Sequence, residues 1–198
     1  MWWGIFTKKK HRPNPSLPIF MSDEIKINKI ARLFGTKLTV GGFKMIRSGY
    51  SNLTPVLLEG GAIDMAIKKI VNIPITIYDL DYYSTSKENW EEMLDIISQI
   101  IVNFPWEKEI RDCDNRAGLV SDLCSLFYGV NTCGRVYCET TNIKTGKKSL
   151  HYANLVILEN GGLLLYDVDN FRLIMKLEPN KPITMGVKNY KFFNAYFG

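Results

Sequence analysis

Between Lys87 and Asn103, apolar residues recur at intervals of three and four: Trp90, Met93, Leu94, Ile97, Ile100 and Ile101. That spacing lines one face of an α-helix. Ser84-Thr85-Ser86 supplies its start and Pro105 its stop. The same period in Ala117, Val120, Leu123, Cys124 and Phe127 predicts a second helix, about Asp114 to Tyr128, closed by Gly129. After Gly129 the period shifts to that of strands. Four are predicted: Gly134–Thr140, His151–Leu158, Leu163–Val168 and Phe171–Leu177. Asn160-Gly161-Gly162 marks a hairpin between the middle pair.

Upstream the pattern is weaker. Pro13, Pro15 and Pro18 predict an extended arm over residues 1–21. Ser22 opens a short amphipathic helix that Gly35 stops. Lys37–Val40 and Phe43–Arg47 alternate around Gly41-Gly42, as in a hairpin. Gly60-Gly61 is a break, Ala62 to Val71 has helical spacing, and Pro74 precedes an extended Ile75–Tyr78. The pattern predicts an α+β fold in three parts: an arm (1–21), a helix and hairpin region (22–75) and a main domain (76–198). Within that domain, residues 104–178 form a unit with Cys113 at a helix start and His151 on a strand.

Charge refines the picture at one end only. The chain carries +5, and Lys8, Lys9, Lys10 and Arg12 supply four of those charges with no acid among residues 1–12. The remainder is nearly neutral, so any contact with nucleic acid is expected only through residues 8–12. Trp2, Trp3 and Phe6 stand beside those lysines, and Tyr190, Phe192, Phe193, Tyr196 and Phe197 crowd the other terminus. Both ends suit contacts with other protein subunits; the aromatic C-terminus equally suits a final packed strand. No run approaches the ~18–20 apolar residues of a membrane span. The N-terminus runs apolar then basic, the reverse of a secretory signal.

The four cysteines, Cys113, Cys124, Cys133 and Cys138, form no C-x-x-C pair, so neither a disulfide nor a zinc site is expected. Cys124 falls on the apolar helix stripe, Cys133 in a turn and Cys138 in a strand. Histidine occurs only at positions 11 and 151. No metal or cofactor is therefore expected, and chemistry needing an imidazole in the folded body falls to His151.

Cys113 lies in the segment Asp112-Cys113-Asp114-Asn115-Arg116-Ala117, where the second helix begins. Backbone N–H groups at a helix start favour an anionic sulfur and can receive a developing oxyanion. The carboxylates at 112 and 114 act the other way, unless one serves as N-cap. A thiol nucleophile needs a base, which is His151. A third polar group must orient the imidazole, and Asp167, Asp169 and Asn170 are the candidates. Turn chemistry divides them. A tight turn centred on Asn160-Gly161 sets His151 opposite Asn170, and a three-residue loop brings Asp169 to the His151 face. Asp167 needs a turn centred on Glu159, or a bulge.

The order Cys at a helix start, His on a strand, Asp near the end of the next strand resembles the transglutaminase-like branch of the papain-like cysteine hydrolases. Asp112–Ala117, His151–Asn154 and Tyr166–Asp167 correspond to its Cys, His and Asp motifs. Asp-Cys-Asp-Asn after a Trp-containing helix, with Tyr78-Asp79-Leu80-Asp81-Tyr82-Tyr83 upstream, is similar to small phage-encoded proteins of this fold. The resemblance implies Cys113 as nucleophile, His151 as base and Asp167 as orienter. The implied reaction is acyl transfer, with a peptide as substrate, for example a cell-wall cross-link. The only Gln is Gln99, inside a helix, so a papain-type side-chain oxyanion donor has no counterpart. Two functions follow: a phage virion structural or assembly protein that keeps the fold as scaffold, or a cysteine amidase or peptidase. The first leads at this level, on the two aromatic ends, and places the protein in the virion or host cytoplasm.

Overall fold

A computed structural model describes residues 55–101, 107, 112–170 and 173–198. The expected arm, the helix after Ser22 and the hairpin at Gly41-Gly42 lie outside them. The fold is α+β. In chain order it runs β1 (Val56–Glu59), α1 (Gly60–Ile70), β2 (Ile75–Ile77), β3 (Asp81–Ser84), α2 (Lys87–Ile101) and α3 (Cys113–Tyr128). It continues through β4 (Cys133–Asn142), β5 (Lys148–Ile157), β6 (Leu163–Asp167), β7 (Leu173–Lys176), β8 (Ile183–Met185) and β9 (Lys188–Phe197).

Both helices with clear periodicity follow it. In α2 all six stripe residues, from Trp90 to Ile101, are buried, and the Ser86 hydroxyl accepts the Asn89 N–H at the helix start. In α3 Ala117, Val120, Leu123, Cys124 and Phe127 are buried, and Gly129 closes the helix in the left-handed region at φ 66°. Glycine takes that conformation without the Cβ clash other residues meet.

Seven strands form the main sheet. Its order is β2-β9-β4-β5-β6-β7, with β8 pairing β9. All pairings are antiparallel except β2 with β9. β1 and β3 make a separate two-stranded ribbon. The C-terminal aromatics thus lie on β9, between β4 and β2, with Tyr190, Phe192 and Phe197 buried. Gly134 on β4 is required by close approach. A Cβ there would stand 2.5 Å from the Tyr196 carbonyl oxygen and 2.6 Å from the Phe197 ring.

The boundary expected at residue 75 falls inside β2, and no core boundary coincides with it. Ile63, Ala66, Ile67 and Ile73 share one apolar cluster with Val136, Leu155, Leu165 and Phe197. The segment is also tied in by hydrogen bonds: the buried Tyr82 hydroxyl donates to the Phe197 carbonyl at 3.0 Å and accepts the Asp79 N–H. The α+β unit read at 104–178 therefore draws its core from upstream of residue 104 and downstream of 178. Apolar spacing could not show this, because α1 and β9 meet only after the chain has folded. Cys133, expected in a turn, is the buried first residue of β4.

Candidate active site

Cys113 is the first residue of α3 and is partly exposed. Cys124, Cys133 and Cys138 are buried, and all four thiols are free. Asp112 occupies the N-cap position in extended conformation, but its side chain makes no capping hydrogen bond. The alternative reading of that acid as a side-chain cap is therefore not realised. Instead the two acids flanking Cys113 engage each other. A hydrogen bond with the Asp112 side chain is the main reason the Asp114 carboxyl lies below its ordinary value. The first N–H groups of any helix lie outside its own ladder, and Cys113 stands at that end.

Two contacts fix where α3 begins. From β5, the Asn154 amide donates to the Ala117 carbonyl at 2.9 Å, to the Ser121 hydroxyl at 3.2 Å and to the Gly134 carbonyl at 3.3 Å. Asn154 is fully buried, so these bonds replace water. One turn along from Cys113, Arg116 Nε lies 2.7 Å from Asp169 Oδ1 in a mostly buried ion pair. The pair joins the Cys-bearing turn to the turn after β6.

His151 is buried on β5, opposite Cys138 of β4. Its Nε2 lies 2.9 Å from Asp167 Oδ2. The β5–β6 ladder pairs Ile157 with Leu163 and Asn154 with Tyr166, which centres the hairpin on Asn160. Neither expected register is adopted, and neither Asn170 nor Asp169 faces the ring. The ladder ends before His151. Continued one step beyond its last pair, the same register would set Asp167 opposite Ala153, and His151 lies two residues further along β5, on the same face. The contact is therefore diagonal, a reach that long side chains on one sheet face can span.

The Asp167 carboxylate is saturated. Its Oδ1 accepts the backbone N–H groups of Asp169 at 2.9 Å and Asn170 at 3.1 Å. Its Oδ2 accepts the Tyr190 hydroxyl at 2.6 Å as well as His151, and Lys188 Nζ lies 3.9 Å away. Burial raises its pKa, but the bonds and charge of His151, with Tyr190 and Lys188, outweigh burial and hold it below the ordinary value. A carboxylate can only accept, so His151 donates through Nε2–H and its Nδ1 is left for the thiol.

For His151, burial acts first and lowers the pKa. The hydrogen bond to Asp167, hydrogen bonding with the Cys113 side chain and the Asp167 charge together push it up to about 9. Both Asp167 and Cys113 thus act on the imidazole. Cys138 stands by as a spectator: its thiol donates to the His151 carbonyl at 3.4 Å, and burial pushes it far above the ordinary thiol value.

The structure brings together Cys113, His151 and Asp167. It sets Asp169 and Asn170 one step back, Asp169 against Arg116 and Asn170 against Tyr190. Sequence reading missed Arg116, Asn154, Lys188 and Tyr190. Tyr190 carried the one available signal, a hydroxyl at a position whose alternation on β9 faces inward. Among the described residues no group of three or more His, Cys, Asp or Glu could hold a metal, and no helix is long and apolar enough to cross a membrane.

No family model matches the chain, and no curated protein matches it. Among solved structures it is similar to one described as the PSL1a-E64 complex, at 13% identity and a TM-score of 0.46, covering 71% of this chain and 51% of that one. It is also similar to Polyporus squamosus lectin bound to the human-type influenza-binding epitope Neu5Aca2-6Galb1-4GlcNAc, at 13% identity and a TM-score of 0.45, covering 71% of this chain and 49% of that one. The chain spans about half the length of these matched chains.

Proposed function

We propose that the protein is a cysteine-dependent acyl-transfer enzyme on a papain-like, transglutaminase-like core, acting on an amide such as a peptide bond. The observation that carries this reading is the imidazole of His151, held at 2.9 Å by the buried Asp167, with the partly exposed Cys113 at the start of α3 among the groups that act on it.

In this reading His151 already holds its second proton, on Nδ1, near neutral pH, the proton that would otherwise sit on Cys113, and the sulfur bonds to the carbonyl carbon. The C–N bond then breaks, and the leaving amine takes the proton from His151. Water, deprotonated by the same nitrogen, attacks the thioester; the C–S bond breaks and the proton stays on His151. An amine in place of water gives transfer instead of hydrolysis. The backbone at the start of α3 receives the oxyanion.

The described residues add nothing specific to an assembly role in a phage virion. Its N-terminal argument concerns residues outside those described, and the C-terminal aromatics are largely spent in packing β9. The test of the enzymatic reading is alkylation by iodoacetamide near neutral pH, with adducts mapped by mass spectrometry. The other three thiols are buried, so modification reports on Cys113. Cys113 is expected to react faster than a model thiol, and Cys113→Ala to abolish cleavage of a cell-wall cross-link peptide or other peptide substrate. Alkylation no faster than a model thiol would sink the proposal.

A further inference from the structure

The Tyr190 hydroxyl donates to Asp167 Oδ2 at 2.6 Å, and the Asn170 amide donates to that same hydroxyl at 2.9 Å. Asn170 is itself fixed, because its amide also donates to the Met185 carbonyl at 3.0 Å. These bonds settle the direction of the chain. Asn170 fills the acceptor side of the tyrosine oxygen, so the single O–H hydrogen is committed to the carboxylate. The order is Asn170 to Tyr190 to Asp167, with His151 donating to the same carboxylate oxygen. All four residues are buried, and β8, β9 and the turn after β6 supply the supports. Gly186, in the left-handed region at φ 62°, makes the tight β8–β9 turn; a Cβ there would stand 3.0 Å from Leu173.

We propose that Tyr190 is a positioning residue for proton transfer at Cys113. Aligned by Asn170, its hydroxyl pins the Asp167 carboxylate so that His151 keeps Nε2–H on Asp167 and Nδ1 toward the thiol. The inference rests on the acyl-transfer reading and assigns roles to two residues outside its triad. A carboxylate held by backbone N–H groups on one oxygen alone can still rotate its second oxygen, and the ring with it. The charged and titratable groups around His151 are Asp167 from β6, Asp169 from the following turn, Cys138 from β4, Lys188 and Tyr190 from β9, and Cys113 from α3. Of these side chains besides His151 itself, Tyr190 alone gives Asp167 Oδ2 a neutral hydrogen-bond donor.

The experiment compares wild type, Tyr190→Phe, Asn170→Ala and His151→Ala as full chains. Two quantities are read: the rate of Cys113 alkylation by iodoacetamide at pH 7, and the ¹⁵N shifts of the His151 ring at a pH above its titration near 9, where the ring is neutral. Tyr190→Phe is expected to slow alkylation roughly tenfold, the scale of one hydrogen bond to a charged group. Its ring shifts should move toward an average of the two tautomers, a change that lost packing alone would not give. Asn170→Ala is expected to do the same to a smaller degree, and carries the test if Tyr190→Phe does not fold. If His151→Ala slows alkylation while both other variants stay within twofold of wild type with unchanged ring shifts, the Tyr190 assignment is overturned and the triad stands. If His151→Ala leaves alkylation unchanged, both fall.

Discussion

His151 and Asp167 meet along a diagonal of the β5–β6 sheet face, Nε2 to Oδ2 at 2.9 Å, just where β6 ends and the chain turns away. The turn is what makes the pair possible. It frees the N–H groups of Asp169 and Asn170 to grip the second carboxylate oxygen. The carboxylate is thereby buried without being left unsolvated.

This pair sets a pH dependence of stability. The His151 pKa is raised from 6.5 to about 9 on folding. A group whose folded pKa is raised stabilises the native state fully below its unfolded value and loses that contribution as pH climbs through the folded one. Urea-unfolding free energy is therefore expected to fall between pH 6.5 and about 9. His151→Ala should flatten that slope. An equal slope in the variant would refute the assignment.

Asp167→Asn is expected to disable the site more than its size suggests. Both oxygens only accept, from two backbone N–H groups, the Tyr190 hydroxyl and His151. An amide nitrogen in place of either oxygen sets a donor against donors. The His151 titration followed by NMR should drop by roughly one unit or more, and Cys113 alkylation at pH 7 should slow by roughly 10²-fold, the lower range for impaired acid–base catalysis.

Asn154→Ala tests whether the anchor of α3 matters for Cys113. The substitution removes one buried donor from the carbonyls of Ala117 and Gly134, although the Ser121 hydroxyl still donates to Ala117. A loss of about 1–3 kcal/mol is expected in urea denaturation. Alkylation should slow as well, because the anchored turn is the one after Cys113. Unchanged stability would mean that water replaces the amide there.

Ile67→Ala addresses the domain boundary. Ile67 is fully buried in the cluster that includes β5, β6 and β9 residues. Deleting it should cost about 2–5 kcal/mol. Calorimetry should show one transition shifted as a whole. A separate low-temperature transition, with the rest of the protein unaffected, would restore residues 55–75 to an independent module.

The sequence by itself determined the helices α2 and α3, the strands β4, β5 and β6, the position of Cys113 at a helix start and the placing of His151 on a strand. All of these follow from local spacing and from caps such as Gly129, which act within a few residues. It narrowed the partner of His151 to Asp167, Asp169 and Asn170 but could not choose. Turn preferences favoured the wrong register, and the correct contact is diagonal and lies beyond the last paired residues. Only the tertiary structure decided that choice. It alone brought Tyr190 to Asp167 across twenty-three positions and Asn154 to Ala117 across thirty-seven. It alone merged residues 55–75 into the core. Contacts between distant segments leave no periodic trace along the chain, because a buried tyrosine that packs and one that also aims a hydroxyl occupy the same inward-facing position.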